Sequence, residues 1–321
     1  MICVVGAVAV DVLVRRDRFL KGTSNPSPIH LEPGGVGYRI FSGLPEPKRL
    51  YTALGADLFG RWLAEQMSAR QELQPIFLDR YRTACYCAFM ESGKLLYGAA
   101  DMDVIQEGLT WAHLRARLPE LGSGDMLILE ANLSPTLART LIRRFGRKTR
   151  VVFEGVSVEK LLRHQEGLSD LFLLNANEDE LRALGRVYTD PSPDTSPGGR
   201  APSQAVADPR APGRPSPGRP AAGRNGTRGE SWITSFMTER RISYLLVSRG
   251  TRGARLYARA EDGRVRRTDR APRRVVSARD TTGAGDRLLA AVLEQADVVK
   301  DLAEALPAAL EAVARALRER A

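Results

Sequence analysis

Cysteine and histidine are scarce in this chain, three of each among 321 residues. Cys3, Cys85 and Cys87 form an odd set without metal-ligand spacing, and His30, His113 and His164 are scattered. These counts speak against a disulfide framework, a zinc ribbon or a His/Cys metal centre, and the C-x-C pair reads as strand packing. No long apolar run is present either. The segment "MICVVGAVAVDVLV" carries Asp11, lacks a basic leader and is too short to span a bilayer, so it reads as a buried first strand in a cytoplasmic protein with no membrane partner. Acids are outnumbered, 38 against 48 basic residues, for a net charge of +10 and a pI near 9.9. Eleven arginines between Arg249 and Arg279 face only Glu261, Asp262 and Asp269. Such a stretch suits a polyanion, but Tyr257 is its one aromatic residue, too few for a base-stacking platform, and a solvated arginine face is the plainer reading.

What remains is an ordinary globular composition, 43% hydrophobic and 27% charged, which excludes collagenous and wholly disordered classes. Strand-like and helix-like segments alternate: "DMLILEA", "SPTLARTLIRRFG", "TRVVFEGV", "VEKLLRHQEGL", "LFLLNAN", "EDELRALG". That alternation implies βαβ units, a mostly parallel sheet, and ligands beyond the carboxyl ends of its strands. "TACYCAFM" and "KLLYGAA" around "ESGK" read as a β-hairpin, and "DLFGRWLAEQM" as a helix capped by Asp57. Residues 189–230 interrupt the pattern with nine of the chain's 19 prolines and seven glycines. They read as a disordered insertion between residues 1–188 and 231–321 of one domain.

The string "DTTGAGD", residues 280–286, precedes the apolar helix "RLLAAVLEQ". Gly283, Ala284 and Gly285 therefore lie in the turn opening a helix, where free amides and the dipole make an anion site. Asp286, beside those donors, is placed to take a proton from a hydroxyl while the amides hold charge on a phosphoryl group. The plain alternative is an Asp cap after a glycine-rich turn.

"ARDTTGAGDRLLAAVL" resembles the signature of the ribokinase-like (PfkB-type) carbohydrate and nucleoside kinases. The resemblance implies a three-layer α/β fold with a mostly parallel central sheet and a small β lid, Asp286 as general base, and an anion hole of Gly283, Ala284 and Gly285. It also implies ATP as phosphoryl donor with Mg²⁺, and a monovalent cation such as K⁺ near the threonine turn. "PGGVG" is similar to the family's N-terminal Gly-Gly motif, which gives Gly34 and Gly35 with Asp11 as the sugar-binding set. "NANEDE" supplies Asn177 and Glu180 in the N-x-x-E arrangement associated with phosphate and Mg²⁺. "VSRGTRGARLY" implies Ser248 and Gly250 near ATP, together with Thr282. Within the family the likeness runs to pseudouridine kinases through "GTSNPSPIHLEPGGVG", "SGKLLYGAADMDV" and "VVFEGVSVEK", implying Asn25 and Asp101 as groups that meet a nucleobase.

The string departs from the family pattern in places. Arg39 stands where an Asn is expected in the acceptor site, and Pro45 and Pro47 fall where a helix normally continues, which shortens or removes it. Arg287 follows the base directly, and Glu154-Gly155 replaces the usual Asp-Pro. The expectation is an enzyme that phosphorylates the 5′-hydroxyl of a nucleoside, pseudouridine by preference, and forms a homodimer. Its rivals are a kinase for another sugar or nucleoside, and an impaired relative that binds RNA or protein.

Overall fold

A computed structural model describes residues 1–68, 73–190, 231–276, 283–296, 298–299 and 301–319. The chain enters through β1 (Ile2–Val5), then β2 (Ala9–Arg16), β3 (Ile29–Gly34), α1 (Val36–Ser42), β4 (Lys48–Gly55), α2 (Leu58–Ser68) and β5 (Leu73–Leu78). The hairpin β6 (Cys85–Glu91) and β7 (Lys94–Asp101) follows, then α3 (Trp111–Leu114). Next come β8 (Met126–Glu130), α4 (Pro135–Phe145), β9 (Arg150–Glu154), α5 (Val158–His164), β10 (Leu173–Asn177) and α6 (Glu178–Thr189). After the insertion stand α7 (Ser231–Glu239), β11 (Tyr244–Ser248), β12 (Ala254–Arg259), β13 (Val265–Arg270), α8 (Ala284–Glu294) and α9 (Leu302–Arg318).

Nine strands form one sheet in the order β13-β12-β11-β10-β9-β8-β1-β4-β5. The seven from β11 to β5 are mutually parallel, while β12 and β13 return antiparallel. Because these strands are covered on both faces, "CVV", "MLILE" and "VVFE" are buried throughout, as parallel strands require. One buried cluster lies under α4 to α7, and the other under α1, α2, α8 and α9. Helices on both faces of a parallel sheet are the three layers expected. A four-stranded sheet, β3-β2-β6-β7, is the lid.

The first apolar run, read as one strand, is two. β1 lies in the central sheet and β2 in the lid, and the chain crosses between them at Gly6–Val8. Gly35 explains how two crossings share that place. Its φ of +92° suits glycine, and a Cβ there would sit 2.5 Å from the Ala7 carbonyl oxygen. That same carbonyl accepts the Tyr38 amide at 3.1 Å and so seats the start of α1. α1 is only seven residues long and ends before Pro45, as the prolines require.

Asp57 does cap α2: its Oδ1 accepts the Gly60 amide at 2.8 Å and its Oδ2 the Thr83 amide at 2.8 Å. Hydrogen bonds to Thr83 and Gly60, together with that from Phe59, outweigh burial and hold its carboxyl below the usual range. β10 and β11 are parallel neighbours, so the chain on either side of the insertion belongs to one sheet. α6 runs through Thr189, so that residue is helical where the insertion was expected to begin. The remainder of that segment, residues 191–230, lies outside the described residues. Among the described residues no helix is long and apolar enough to cross a membrane.

Candidate active site

α8 begins without a side-chain cap. Its N-cap is Gly283, at φ +74°, and among the described residues no hydroxyl or carboxylate closes the first turn. The amides of Ala284 and Gly285 are thereby left to an outside acceptor. Asp286 is the third helical residue and not the cap, so the capping alternative does not describe it. It is 9% exposed and faces a cavity of about 430 Å³ at the carboxyl edge of the sheet. Burial pushes its carboxyl up to about 6, the Arg39 and Arg287 guanidinium groups pull it down, and Asp11 pushes it up.

The lid and α1 supply one side of that cavity. Asp11 on β2 is 1% exposed and lies directly against Gly34, where a Cβ would collide with the carboxylate. Arg39, from the second turn of α1, pairs through Nη2 with Asp11 Oδ2, while its Nη1 stands 4.0 Å from Asp286 Oδ2. The residue that replaces the expected Asn thus stands between two carboxylates of the cavity, Asp11 and Asp286. Gly35, Tyr86 and Met102 complete this side.

The opposite wall comes from the ends of β8, β9 and β10. Glu154 Oε1 accepts the Val156 amide at 3.1 Å and Oε2 the Asn175 amide group. Burial raises the Glu154 carboxyl well above its usual range, and the nearby Asp286 charge raises it further. Asn132 and Lys160 stand beside them. Asn177 caps α6, its Oδ1 accepting the amides of Asp179 and Glu180 at 2.9 Å each, and Glu180 Oε2 in return accepts the Asn177 backbone amide at 3.0 Å. Burial raises Glu180. The N-x-x-E pair is therefore a capping box whose two side chains also face the cavity. Among the described residues no group of three or more His, Cys, Asp or Glu side chains is arranged to hold a metal ion. An ion that keeps several of its waters fits the Asn177–Glu180 pair better than one needing a full protein cage.

A second cavity of about 340 Å³ adjoins the first and shares Ser248, Ala284 and Gly285 with it. Its walls are mainly apolar, among them Pro272, Val275, Leu288, Leu310, Val313 and Leu317, with Arg274, Thr251 and Gly250 also lining it. The mouth of α8 is thus the junction between a polar chamber and an apolar one.

Of the residues singled out from sequence, Asp11, Gly35, Arg39, Asn177, Glu180 and Ser248 meet the α8 mouth and Asp286 in one cavity. Gly34 supports Asp11 from behind. Asn25 does not reach the cavity: its Oδ1 accepts the Leu20 amide at 2.8 Å and its Nδ2 donates to the carbonyls of Leu20 and Thr23, so the side chain is used within its own loop. Asp101, at the end of β7, is exposed and accepts the Asp103 amide at 3.3 Å, while its neighbours Ala100 and Met102 line the cavity instead. Thr282 and the turn proposed for a monovalent cation lie outside the described residues. Asn132, Lys160 and Asn175 were missed. Position could have found Asn132, just past the carboxyl end of β8, and Asn175, within β10, whereas Lys160, in the first turn of α5, carries no such signal.

The arginine-rich stretch is largely engaged with acids. Asp269 accepts from Arg249 at 2.8 Å and from Arg255 and Arg267 at 2.7 Å each. Glu178 takes a second bond from Arg249 at 3.0 Å and pairs with Arg252, and Arg266 pairs with Asp301.

No family model matches the chain. Among solved structures it is similar to a carbohydrate kinase from Agrobacterium tumefaciens, with TM-score 0.67 and 24% identity over 98% of this chain and 89% of that one. A ribokinase from Thermotoga maritima gives TM-score 0.69 at 19% identity, covering 98% and 92%. Arabidopsis thaliana ribokinase, solved with ribose and ATP, gives 0.66 at 16%, covering 99% and 92%. At these identities the likeness establishes the fold, which is ribokinase-like. Among curated proteins, 203 residues are 27% identical to a pseudouridine-metabolizing bifunctional protein of Schizosaccharomyces pombe, 59% of this chain and 26% of that protein. The chain therefore matches about a quarter of that relative's length.

Proposed function

We propose that this chain is an ATP-dependent kinase that moves the γ-phosphoryl group of ATP onto the 5′-hydroxyl of a nucleoside, pseudouridine by preference. The observation that carries this reading is Asp286, a buried carboxylate in the uncapped first turn of α8, at the junction of a polar and an apolar chamber. The apolar chamber suits the flat base of the donor, and its volume is within the range of small-molecule sites. The phosphates then lie along Ser248 and the open amides of α8, where partial positive charge favours them. The acceptor occupies the polar chamber under the lid.

Asp286 takes the proton of the acceptor hydroxyl as that oxygen forms its bond to the γ-phosphorus. The bond from the γ-phosphorus to the bridging oxygen breaks, and ADP leaves with that electron pair. The amides of Ala284 and Gly285 hold the charge on the transferring group. Mg²⁺ would neutralise charge on the phosphates, held through water by Asn177 and Glu180. Asp11 and Arg39 together orient the acceptor, the guanidinium presenting donors where a carboxylate alone would present acceptors.

Pseudouridine as the preferred acceptor is supported by the S. pombe relative's name and by the likeness of residues 22–37 to pseudouridine kinases. A homodimer is supported by the lid, where Ile29, Leu31, Phe89 and Tyr97 stand exposed on one face; sedimentation velocity measures it. ATP as donor and three free cysteines suit the cytoplasm, which fractionation tests. The deciding experiment measures coupled ADP release with pseudouridine, uridine, ribose and adenosine, for the wild type and Asp286→Asn. Equal rates for the two proteins would remove the mechanism.

A further inference from the structure

The polar chamber holds a second cation that the transfer step does not use. Lys160 belongs to the first turn of α5, on the sheet face opposite α8, so it meets the acceptor from the wall across from Asp286. A cation gains nothing from that position, because the start of a helix favours acids. The chain nevertheless goes to some length to put it there. Between β9 and α5 the Ser157 amide bonds back to the Gly155 carbonyl at 2.7 Å, with Val156 between them at φ +65°. A β-branched residue rarely adopts that conformation, and it persists only where the surroundings impose it.

Lys160 is then fixed by a chain of contacts that begins in the core. Glu130 has no exposure; its Oε1 accepts the Ala7 amide at 2.8 Å, where the chain leaves the central sheet for the lid. Its Oε2 accepts the Asn132 backbone amide at 2.7 Å and side-chain amide at 2.6 Å. The orientation of Asn132 is thereby set, and its Oδ1 accepts from Lys160 Nζ. An ammonium has three protons to donate. Among the described residues Asn132 takes one of them, which leaves two for whatever fills the chamber. Arg39 differs, since its guanidinium is engaged with Asp11 and lies close to Asp286.

We propose that Lys160, held by Asn132, is a specificity-determining residue that donates a charge-assisted hydrogen bond to an electron-rich oxygen on the acceptor, at the end remote from the hydroxyl that is phosphorylated. This rests on the reading of the polar chamber as the acceptor site. A ring carbonyl and a carboxylate share the required chemistry, and a plain sugar offers neither. Burial lowers the proton affinity of the ammonium, which shortens no bond by itself but favours a ligand that restores its charge balance.

Equilibrium binding of pseudouridine, ribonate and ribose, without nucleotide, tests this on wild type, Lys160→Met and Lys160→Gln, with thermal unfolding as the check on folding. In Lys160→Met the affinity for pseudouridine, ribonate or both falls roughly 10- to 100-fold relative to that for ribose. Lys160→Gln, which keeps a neutral donor, recovers part of the loss. A loss confined to pseudouridine assigns the carbonyl, and one confined to ribonate the carboxylate. Equal weakening of all three ligands, unchanged affinities, or no binding to the folded wild type overturns the proposal. Because no turnover is measured, a positive result stands even if ADP release fails. Conversely, active wild type with unchanged selectivity in Lys160→Met removes the role of the lysine and leaves the kinase reading intact.

Discussion

The α8 mouth and the β12–β13 hairpin are both heavily charged in sequence, yet they resolve that charge in opposite ways. Along the hairpin, Asp269 gathers Arg249, Arg255 and Arg267, and Glu178 and Asp301 take others. At the α8 mouth, among the described residues, the amides have no side-chain cap and Asp286 is buried with Arg39 Nη1 at 4.0 Å. Charge that is satisfied locally supports structure. Charge that is desolvated and incompletely paired is held ready for a ligand, and there perturbed proton affinities gather.

The sharpest way to break this contrast is to neutralise Asp286. We expect Asp286→Asn to lower the rate of phosphoryl transfer by about 10²- to 10⁴-fold while the acceptor still binds, as measured by ADP release and by equilibrium binding. A variant retaining full rate would make the α8 mouth as structural as the hairpin.

Arg39 sharpens the contrast from the other side. Asp286 must be ionised to accept a proton, so kcat/KM falls as pH drops through about 6, the region to which burial has moved it. Arg39 pulls that value down, and its removal raises it. In Arg39→Asn the acid limb of the pH profile moves to higher pH, and Arg39→Lys restores part of the shift. An unmoved limb would show that the 4.0 Å approach has no electrostatic consequence.

The same carboxylate has a thermodynamic signature. In the native state Asp286 titrates near 6, above the range of an exposed Asp, so the folded protein binds its proton more tightly than the unfolded chain. The associated stability is fully present below the unfolded value and is lost as pH rises through about 6. Asp286→Asn escapes that loss. We expect it to be more stable than the wild type by about 3 kcal/mol at pH 8, with the gap closing towards pH 4, in urea unfolding. A site that costs stability when empty is common where function demands a buried charge.

How far this was legible in the sequence follows from how local each feature is. Gly283 to Asp286 are consecutive, so their helix mouth could be read from the string, as could an upper limit on α1 from the prolines beyond it, though not that the helix survives. The parallel sheet was legible in the alternation of apolar runs with amphipathic ones. The split of the first run was not, because β1 and β2 are both largely buried and show no change of period where the chain changes sheets. Asn132, Lys160 and Asn175 were equally hidden. They stand on separate segments, and only the order β10-β9-β8-β1 brings them to one edge. Asn25 failed in the other direction, since an Asn in an S-N-P turn has local carbonyls and amides to satisfy it.

The smallest expected effect lies on the hairpin and would reverse its side of the contrast. Asp269 is half-buried; burial pushes its carboxyl up, but hydrogen bonds from Arg267 and Arg255 outweigh that and hold it below the usual range. In Asp269→Asn those arginines lose their shared acid, while Arg249 keeps Glu178. Since the variant carries one more net positive charge on that face, enough to neutralise one further phosphate and release its counterion, the slope of log binding constant against log salt for single-stranded RNA should steepen by about one. Phosphoryl transfer, proposed for the α8 mouth, should change little. An RNA affinity and salt slope identical to the wild type would mean that the arginines are not neutralised by Asp269 in solution, and the hairpin would no longer illustrate locally satisfied charge.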